Sequence, residues 1–397
     1  MIPSLRQRYN AAFTDARYAA FTADLDRAAY WPVDFRVAET PLFLDEHATR
    51  ELVHAADDIT RQLAQPEFRI HAANAIPAGL AVPAETEWPH FLAVDFALCH
   101  DEQGRVTPRL IELQGFPTVA SWQVLLANSY RGHFPEVPPE LTTYFGGLDE
   151  AAYLEHLRKA VIGGCDPENV VLLEIEPDRQ KTRVDFAATH RLLGVRPVCL
   201  STVRRRGRQL FYSAEGREVP IHRIFNRVIF DELLRKPDFK PGFNFTDEID
   251  VQWAGHPNWY FRISKHAMPF LKSPFVPDCH FVNQLKTVPA DLEHYVLKPL
   301  YSFAGLGVDI APTKEKIAAL PNPGEWILQR KVAYAPLLAT PDGPAKAEIR
   351  LIFVGDGSGM PKLVNNLVRL TKGAMHGVDY NKGKTWVGAS CAFHPAV

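Results

Sequence analysis

The sequence predicts a mixed α+β and α/β protein, and two patterns carry this prediction. In the middle of the chain, an apolar run at 170–175, a helical stretch after Thr182 and a second apolar run at 195–200 form a strand–helix–strand unit. Such a unit implies a parallel sheet with a right-handed crossover. From residue 258 onward, short strands alternate with helical pieces and are separated by Pro, Gly and Asp, which is typical of α+β structure built on antiparallel strands.

Composition and charge narrow the class of protein. The chain has 397 residues, and one domain per roughly 150 residues predicts two or three domains. Hydrophobic residues make up 46% and charged residues 23%, which is ordinary for a globular protein. Acidic and basic residues nearly cancel, with 46 against 44, whereas a protein that binds the phosphate backbone shows a basic excess. We therefore expect no nucleic acid as the main partner.

The chain carries no signal for a membrane or for an oxidising compartment. No apolar stretch reaches the roughly 18 residues that a membrane helix needs, and charges interrupt the N-terminal residues 1–17 where a signal peptide would be apolar. The five cysteines are scattered and form no CxxC pair, so neither a disulfide framework nor a zinc site is indicated. The sequence predicts a cytoplasmic protein without a membrane partner.

The first part of the chain, residues 1–89, is predicted to be rich in helices. Four of its apolar side chains recur with helical spacing and so fall on one helical face. These side chains are Leu52, Ala56, Ile59 and Leu63.

Two carboxylates lie inside apolar runs that predict a pair of strands, 91–98 and 110–113. A carboxylate in an apolar strand costs several kcal/mol unless it is paired or binds a cation. A hairpin centred at 103–104 pairs each position i with 207 − i, and this register places Asp95 directly opposite Glu112. A shift of one residue would break the pairing.

Gln114 adds a third oxygen to this pair of carboxylates. It lies two residues after Glu112, so both side chains project from the same face of the strand. Three hard oxygen ligands without His or Cys suit a Mg²⁺ ion that substrate phosphates also hold. The alternative is an amphipathic hairpin whose second face is exposed to solvent. If Asp95 is a Mg²⁺ ligand, Asp95→Asn is expected to leave the fold intact or to stabilise it, because a buried charge is removed.

Two features of the middle region have a local interpretation. Thr182 and Asp185 have the spacing of a capping box that opens a helix, and Gly194 follows the end of that helix. A basic cluster at 204–208 is either a nucleic-acid patch or an exposed hairpin turn. Gly207 inside the cluster favours the turn.

A lysine and a Gly-rich loop form the second candidate site. Lys298 ends an apolar strand, and a loop of small residues at 302–307 follows directly. Small residues let backbone N–H groups approach phosphates, while the lysine supplies a point charge. The chain contains neither a Walker A loop nor GxGxxG between a strand and a helix, so a dinucleotide fold is not supported. A plain flexible hairpin is the alternative.

Two later strands carry further candidates. The apolar strand that starts at Trp326 becomes polar at Gln329, and its edge could hydrogen-bond a purine or could be an ordinary strand end. Arg350 lies in the strand 348–354, and its guanidinium suits bidentate recognition of phosphate. A structural ion pair with Glu348 or another acid is an equal competitor.

Taken in order, these pieces resemble the ATP-grasp superfamily. Lys265, followed by Val276-Pro277-Asp278, is similar to the family's early lysine and approach strand. Lys298 with its loop is similar to the phosphate-binding lysine, and residues 329–332 are similar to the adenine hinge. The run 348–350 resembles the acidic-x-Arg strand. Arg369 resembles the later arginine that meets the transferred phosphoryl group.

The order of the metal motif differs from the common family order. An Asp and a Glu-x-Asn should follow the other motifs, but here Asp95 and Glu112-Leu113-Gln114 come near the N-terminus. This arrangement is similar to the circularly permuted ATP-grasp proteins, the group that includes glutathionylspermidine synthase, and the unit at 170–200 resembles their pre-ATP-grasp domain. Two residues depart from the pattern, because Gln114 replaces Asn and Glu348 stands where Asp is common.

The chain divides into four parts, and the resemblance implies the last three. Residues 1–89 form a helix-rich N-terminal segment outside the resemblance, and 90–145 are implied to form the permuted metal-binding part of the ATP-grasp fold. Residues 146–260 form the β-α-β pre-ATP-grasp domain, and 261–397 form the nucleotide-binding lobes.

The resemblance further implies an ATP- and Mg²⁺-dependent ligase that joins a carboxylate to an amine through an acyl phosphate. Its substrates would be small molecules or peptides, and the sequence does not indicate the oligomeric state. A kinase of the same fold and a non-catalytic nucleotide-binding protein are the alternatives. The implied site comprises metal ligands Asp95, Glu112 and Gln114, nucleotide contacts Lys265, Lys298, Ser302, Gly305, Gly307, Gln329, Arg330, Lys331 and Val332, and catalytic Arg350 and Arg369.

Overall fold

The computed structural model describes residues 1–302, 305–373 and 381–397. The helices in these residues are α1 Pro3–Ala12, α2 Asp15–Ala29, α3 Glu46–Leu63, α4 Pro66–Ala73, α5 Ala120–His133, α6 Glu150–Val161, α7 Arg183–Leu193, α8 Phe230–Leu234, α9 Asn258–Arg262 and α10 Lys314–Ala318. The strands are β1 Leu42–Phe43, β2 Phe91–His100, β3 Val106–Gln114, β4 Val170–Glu174, β5 Arg196–Cys199, β6 Arg204–Arg206, β7 Gln209–Ala214, β8 Arg217–Ile221, β9 Arg223–Asn226, β10 Gln252–Ala254, β11 Cys279–Phe281, β12 Tyr295–Pro299, β13 Trp326–Arg330, β14 Lys346–Val354, β15 Lys362–Thr371, β16 Gly388–Ser390 and β17 Ala392–Phe393.

The N-terminal part is helix-rich, as predicted, and α3 forms through the predicted apolar face. Asp45 caps this helix by accepting the Ala48 N–H, and the four predicted apolar side chains of α3 are buried in the main core. None of the helices within the described residues has the length and apolar character needed to cross a membrane.

One antiparallel sheet joins the two ends of the chain. Its strand order is β16-β15-β14-β2-β3, so the predicted hairpin of β2 and β3 pairs with β14 from the last part of the chain. Strand β1 also pairs with β17, in parallel. A second antiparallel sheet, β11-β13-β12, contributes to the same hydrophobic core as the five-stranded sheet. The predicted antiparallel α+β region is therefore confirmed.

The predicted strand–helix–strand unit is also present. Strands β4 and β5 pair in parallel and flank α7, within a parallel sheet of order β10-β9-β4-β5. The predicted capping box is wrong, because the Thr182 side chain caps nothing. Asp185 instead is 1% exposed, accepts the Trp122 N–H at the start of α5 and pairs with Arg227. A carboxylate so deeply buried is more stable beside a guanidinium than at an exposed helix end.

The basic cluster at 204–208 forms the predicted hairpin turn. Strands β6 and β7 pair around Gly207, whose φ of 62° favours glycine. The arginines of this hairpin are matched by acids, since Arg205 pairs with Asp247 and Arg208 pairs with Asp250. Its charge is thus largely neutralised within the chain.

Candidate functional site

Asp95 and Glu112 lie opposite each other, as the sequence predicts. The predicted register nevertheless fails at the tip of the hairpin, where His100 pairs with Val106 and not with the residue after it. The strand register at the tip is therefore shifted by one residue from the register at Asp95 and Glu112.

A β-bulge accounts for this difference. On β2, Phe96 pairs with Leu110 and its neighbour Asp95 pairs with Glu112, so Ile111 is an extra residue on β3. A one-residue slip turns each side chain of a strand to the other face. Without the bulge, Asp95 would lie opposite Ile111, and Glu112 would face away from the site.

Two arginines enclose Asp95. The Arg350 guanidinium donates from Nε and Nη2 to the two carboxylate oxygens at 2.6 Å each, and Arg369 Nη2 donates to Oδ2 at 2.9 Å. Asp95 is 2% exposed, and three of its four lone-pair positions are used. In this arrangement both carboxylate oxygens of Asp95 accept hydrogen bonds from guanidinium groups. The expectation that Asp95→Asn leaves the fold intact must be revised, because the charge that it removes is paired.

Glu348 and Tyr334 complete this cluster. Arg369 Nη1 lies 3.1 Å from Glu348 Oε1, and the Tyr334 hydroxyl donates to Glu348 Oε2 at 2.8 Å. Burial alone lowers the pKa of Arg369, but Glu348 and Asp95 outweigh it and raise that pKa above its ordinary value. The ion pair predicted as an alternative for Arg350 therefore exists, with Asp95 as its partner, while Glu348 pairs with Arg369.

Glu112 and Gln114 line a narrow cleft beside Lys265 and Ser302, with a free volume of about 20 Å³, which is room for about one water molecule. The Gln114 amide donates to Glu112 Oε1, and Lys265 Nζ lies 3.9 Å from Glu112 Oε2 and 2.8 Å from the Ser302 carbonyl. Burial raises the pKa of Glu112, but Lys265 and other nearby cations outweigh it and hold that pKa below its ordinary value. Glu112 is therefore ionised at neutral pH.

These residues fit a magnesium ion in part. A carboxylate and an amide oxygen suit an Mg²⁺ that substrate phosphates also hold, and Glu112 with Gln114 provides both at the cleft. The third predicted ligand, Asp95, would first have to lose a guanidinium. The described residues hold no group of three or more His, Cys, Asp or Glu side chains arranged to bind a metal ion.

Lys298 and Gln329 reach the hairpin from the neighbouring sheet. Lys298 Nζ donates to the Ile111 carbonyl at 3.0 Å, and Gln329 Nε2 donates to the Leu110 carbonyl at 3.2 Å. Burial lowers the pKa of Lys298, although Glu112 partly offsets this effect. Both side chains thus meet the bulge itself.

The predicted adenine hinge is only partly available. The Arg330 N–H donates to the Asp278 carbonyl at 2.8 Å, and the Lys331 N–H donates to the His294 carbonyl at 2.7 Å. Both side chains are exposed, and Val332 follows them half-buried. A nucleotide at this strand edge would have to displace those bonds or use other backbone groups.

The loop after Lys298 starts at the cleft. The Ser302 carbonyl accepts a hydrogen bond from Lys265. The buried Oγ of Ser302 has no hydrogen-bond partner within the described parts of the chain. Gly305 and Gly307 have φ values of 76° and 73°, which favour glycine. Residues 303–304 of the predicted loop lie outside the described residues.

Sequence reasoning missed Thr118. Its hydroxyl accepts from Arg350 Nη1 at 3.1 Å, and its carbonyl accepts from Arg227 Nη1 at 3.4 Å. One signal lay three residues earlier, at Gly115. A Cβ there would approach the Trp259 carbonyl oxygen to 2.4 Å, so only glycine lets the chain turn after Gln114.

Comparison with known proteins gives a likeness in structure but none in sequence. No protein-family model and no curated protein matches the sequence. Among solved structures, the chain is similar to the apo form of a glutathione synthetase-like effector from Globodera pallida, with a TM-score of 0.53 and 10% identity over 98% of this chain and 99% of that chain. The fold is glutathione synthetase-like. At this identity the likeness concerns the fold alone.

Proposed function

We propose that the chain is an ATP-dependent ligase that joins a carboxylate to an amine through an acyl phosphate. The observation that carries this proposal is that, among the described residues, four cationic side chains converge with three carboxylates. The surplus positive charge suits a polyphosphate, because each phosphate oxygen can pair with a preorganised donor. The cations are Lys265, Lys298, Arg350 and Arg369, and the carboxylates are Asp95, Glu112 and Glu348.

We further propose a circularly permuted ATP-grasp arrangement, divided as 1–89, 90–145, 146–260 and 261–397. The pairing of β2 with β14 supports it, because strands from both ends of the chain share one sheet. The likeness to a glutathione synthetase-like effector agrees with it, since glutathione synthetase-like proteins are related to ATP-grasp enzymes.

The four cations would have different roles. Lys265 and Lys298 would neutralise the phosphates nearest the cleft. The Arg369 side chain is 35% exposed, against 10% for Arg350, so Arg369 is the better candidate to meet the transferred phosphoryl group. Arg350 would hold Asp95 and the sheet. Magnesium, when bound by Glu112 and Gln114, would neutralise phosphate oxygens.

The proposed reaction has two steps. A substrate carboxylate oxygen attacks the γ-phosphorus, the bond to the β-phosphate oxygen breaks, and ADP leaves. The amine nitrogen then attacks the acyl carbon, phosphate leaves, and the amine proton passes to solvent. The protein supplies positioning and charge stabilisation, so loss of the Arg369 donor should cost about 3–4 kcal/mol of barrier.

A screen for ADP release tests this function. Amino acids, short peptides and polyamines are offered singly and in pairs, with Arg369→Gln as the inactive control. A ligase releases ADP and free phosphate only when an acid and an amine are both present. A kinase would instead form a phosphorylated product without the amine. If no ADP is released with single substrates or with pairs, the result contradicts catalysis.

A nucleotide-binding protein without turnover is the second candidate. The enclosure of Asp95 by two guanidiniums favours it, because one predicted metal ligand is already engaged. Such a protein would gain thermal stability with ATP yet leave the ATP unchanged over hours. Mass analysis of the nucleotide after the melting experiment separates the two candidates.

A further inference from the structure

The bulge on β3 is held from outside its own sheet at three points. Beside the bonds from Lys298 to the Ile111 carbonyl and from Gln329 to the Leu110 carbonyl, the Leu110 N–H donates to the Phe275 carbonyl at 2.8 Å. The extra residue of a bulge is left out of the strand ladder, so its polar groups need other partners. Here the second sheet provides two partners, and the segment before β11 provides the third.

The hydrogen bond from Gln329 to Leu110 leaves the other end of the Gln329 amide without a partner in the described part of the chain. The residue is 2% exposed, and its Oε1 has no hydrogen-bond partner within the described ranges. A buried acceptor without a partner destabilises the fold, because it has lost its hydrogen bonds to water. The side chain therefore contributes through its other end, the Nε2 group that donates to Leu110.

Lys298 and Gln329 differ in what a ligand would do to them. In the proposed function, a phosphate would attract the charged Lys298 and compete with the Ile111 carbonyl for it. Gln329 is neutral and would keep its bond to Leu110. It is thus the tie that persists while a nucleotide is bound.

We propose that Gln329 is a positioning residue that holds the β3 bulge and thereby keeps Glu112 opposite Asp95 on the cleft face. This role differs from the nucleotide contact that the sequence predicts for Gln329. The structural role of Gln329 does not depend on the proposed function. Only its consequence for Glu112 as a ligand of a metal–nucleotide complex rests on that function. If the tie is lost, the strand pair relaxes toward the register of its tip, and Glu112 leaves the cleft.

Gln329→Met tests this role, with Gln62→Met as its matched control. Methionine keeps the length and apolar bulk of glutamine and removes the donor. Gln62 also donates to a distant backbone carbonyl, that of Lys272 at 3.0 Å, but it lies on α3 and is not among the residues that line the cleft. Both variants are compared with the unaltered chain by amide hydrogen exchange and by ADP titration calorimetry.

Hydrogen exchange decides the structural half without any ligand. In Gln329→Met, amides at 91–95 and 111–114 should exchange about tenfold faster while the hairpin tip, 97–107, is unchanged. Gln62→Met should leave both segments unchanged. Equal protection of the bulge in Gln329→Met and in the unaltered chain would overturn the proposal.

ADP titration decides the functional half. The gain in ADP affinity from magnesium, measured against EDTA, should fall about 10-fold or more in Gln329→Met and stay unchanged in Gln62→Met, since loss of a supporting residue costs about that much metal affinity. A gain that survives in Gln329→Met would overturn the link to Glu112. If the unaltered chain binds no ADP in either buffer, the proposed nucleotide function fails, while the exchange result still decides the role of Gln329 in the bulge.

Discussion

Two buried aspartate–arginine pairs meet at Thr118, yet they stand in different electrostatic surroundings. In the parallel-sheet region, Asp185 pairs with Arg227 at 2.6 Å, and in the five-stranded sheet Asp95 pairs with Arg350 at 2.6 Å. The Thr118 carbonyl accepts from Arg227 and its hydroxyl accepts from Arg350. The two pairs are similarly buried, and one threonine links them.

The difference lies in charge balance. Asp185 faces one guanidinium and also accepts the Trp122 N–H, so its charges cancel and its second role is to cap α5. Burial raises the pKa of Asp185, and Arg227 only partly offsets that effect. Asp95 instead faces two guanidiniums within a cluster that carries a surplus positive charge. A buried ion pair alone therefore does not mark a functional site, and our proposal rests instead on an unbalanced cluster beside a cleft.

The largest effect on stability is expected at the pair of Asp185 and Arg227. Asp185→Asn leaves Arg227 buried without a counter-ion and weakens the cap of α5, so it should lower the free energy of unfolding by about 3–5 kcal/mol. Urea unfolding measures this loss. Added ADP should not restore the lost stability beyond its effect on the unaltered chain, and a specific rescue by ADP would place this pair in the ligand site.

Glu174, at the end of β4 in the same region, gives the next largest effect through pH. Burial raises its pKa to about 8, which the hydrogen bond from the Ile175 N–H and the charges of Arg227 and Lys236 oppose and the charge of Glu232 supports. Because the folded chain binds this proton more tightly than the unfolded chain, its stabilising contribution is complete below pH 4 and is lost as the pH rises through 8. The unaltered chain should lose about 2–3 kcal/mol of stability between pH 6 and pH 9 relative to Glu174→Gln.

Urea unfolding of both chains at the two pH values checks this difference. The Glu174→Gln chain provides the baseline, since histidines elsewhere titrate in both chains alike. Parallel pH profiles of the two chains would show that the Glu174 carboxyl is ionised throughout this range.

Asp95→Asn should destabilise the fold less than Asp185→Asn does. Unlike Asp185→Asn, it should also change the affinity for ligands. Arg369 keeps Glu348 as a partner and Arg350 keeps the charge of nearby Glu112, so the loss of unfolding free energy should be about 2 kcal/mol. The variant increases the surplus positive charge, so ADP in EDTA should bind more tightly than to the unaltered chain. Weaker binding would mean that Asp95 does not restrain the cations.

The smallest effect is expected at the link between the pairs. Thr118→Val removes the acceptor of Arg350 Nη1 and keeps the carbonyl that Arg227 uses, so the expected loss is about 1 kcal/mol. A double-mutant cycle with Asp95→Asn should give a nonzero coupling energy, because both variants act on Arg350. Strict additivity would show that Thr118 and Asp95 hold Arg350 independently.

The sequence predicts local elements of this molecule better than its distant contacts. The strands, the α3 face and the β-α-β unit follow from apolar periodicity within short windows, and the structure confirms them. The partners of Asp95 do not follow from periodicity, because Arg350 and Arg369 come 255 and 274 residues later. The capping box at Thr182 is wrong for the same reason, since a distant arginine and not the local helix end determines where Asp185 lies.

The bulge shows how a correct prediction can rest on an incomplete reason. The predicted register gives the Asp95–Glu112 pair, but the turn holds the tip in another register and Ile111 makes up the difference. No local residue pattern marks Ile111 as the extra residue. Its position depends on Lys298 and Gln329, which belong to another sheet.

Calorimetric titration of ADP with magnesium tests the central claim most directly. The cationic cleft predicts one ADP per chain and an affinity that falls about 10- to 100-fold in Lys298→Met, the cost of losing a hydrogen bond from a charged group. Lys159→Met, which removes an exposed lysine of α6, serves as the control and should bind as the unaltered chain does. Equal affinity in Lys298→Met and Lys159→Met, or no binding by the unaltered chain, would contradict the account.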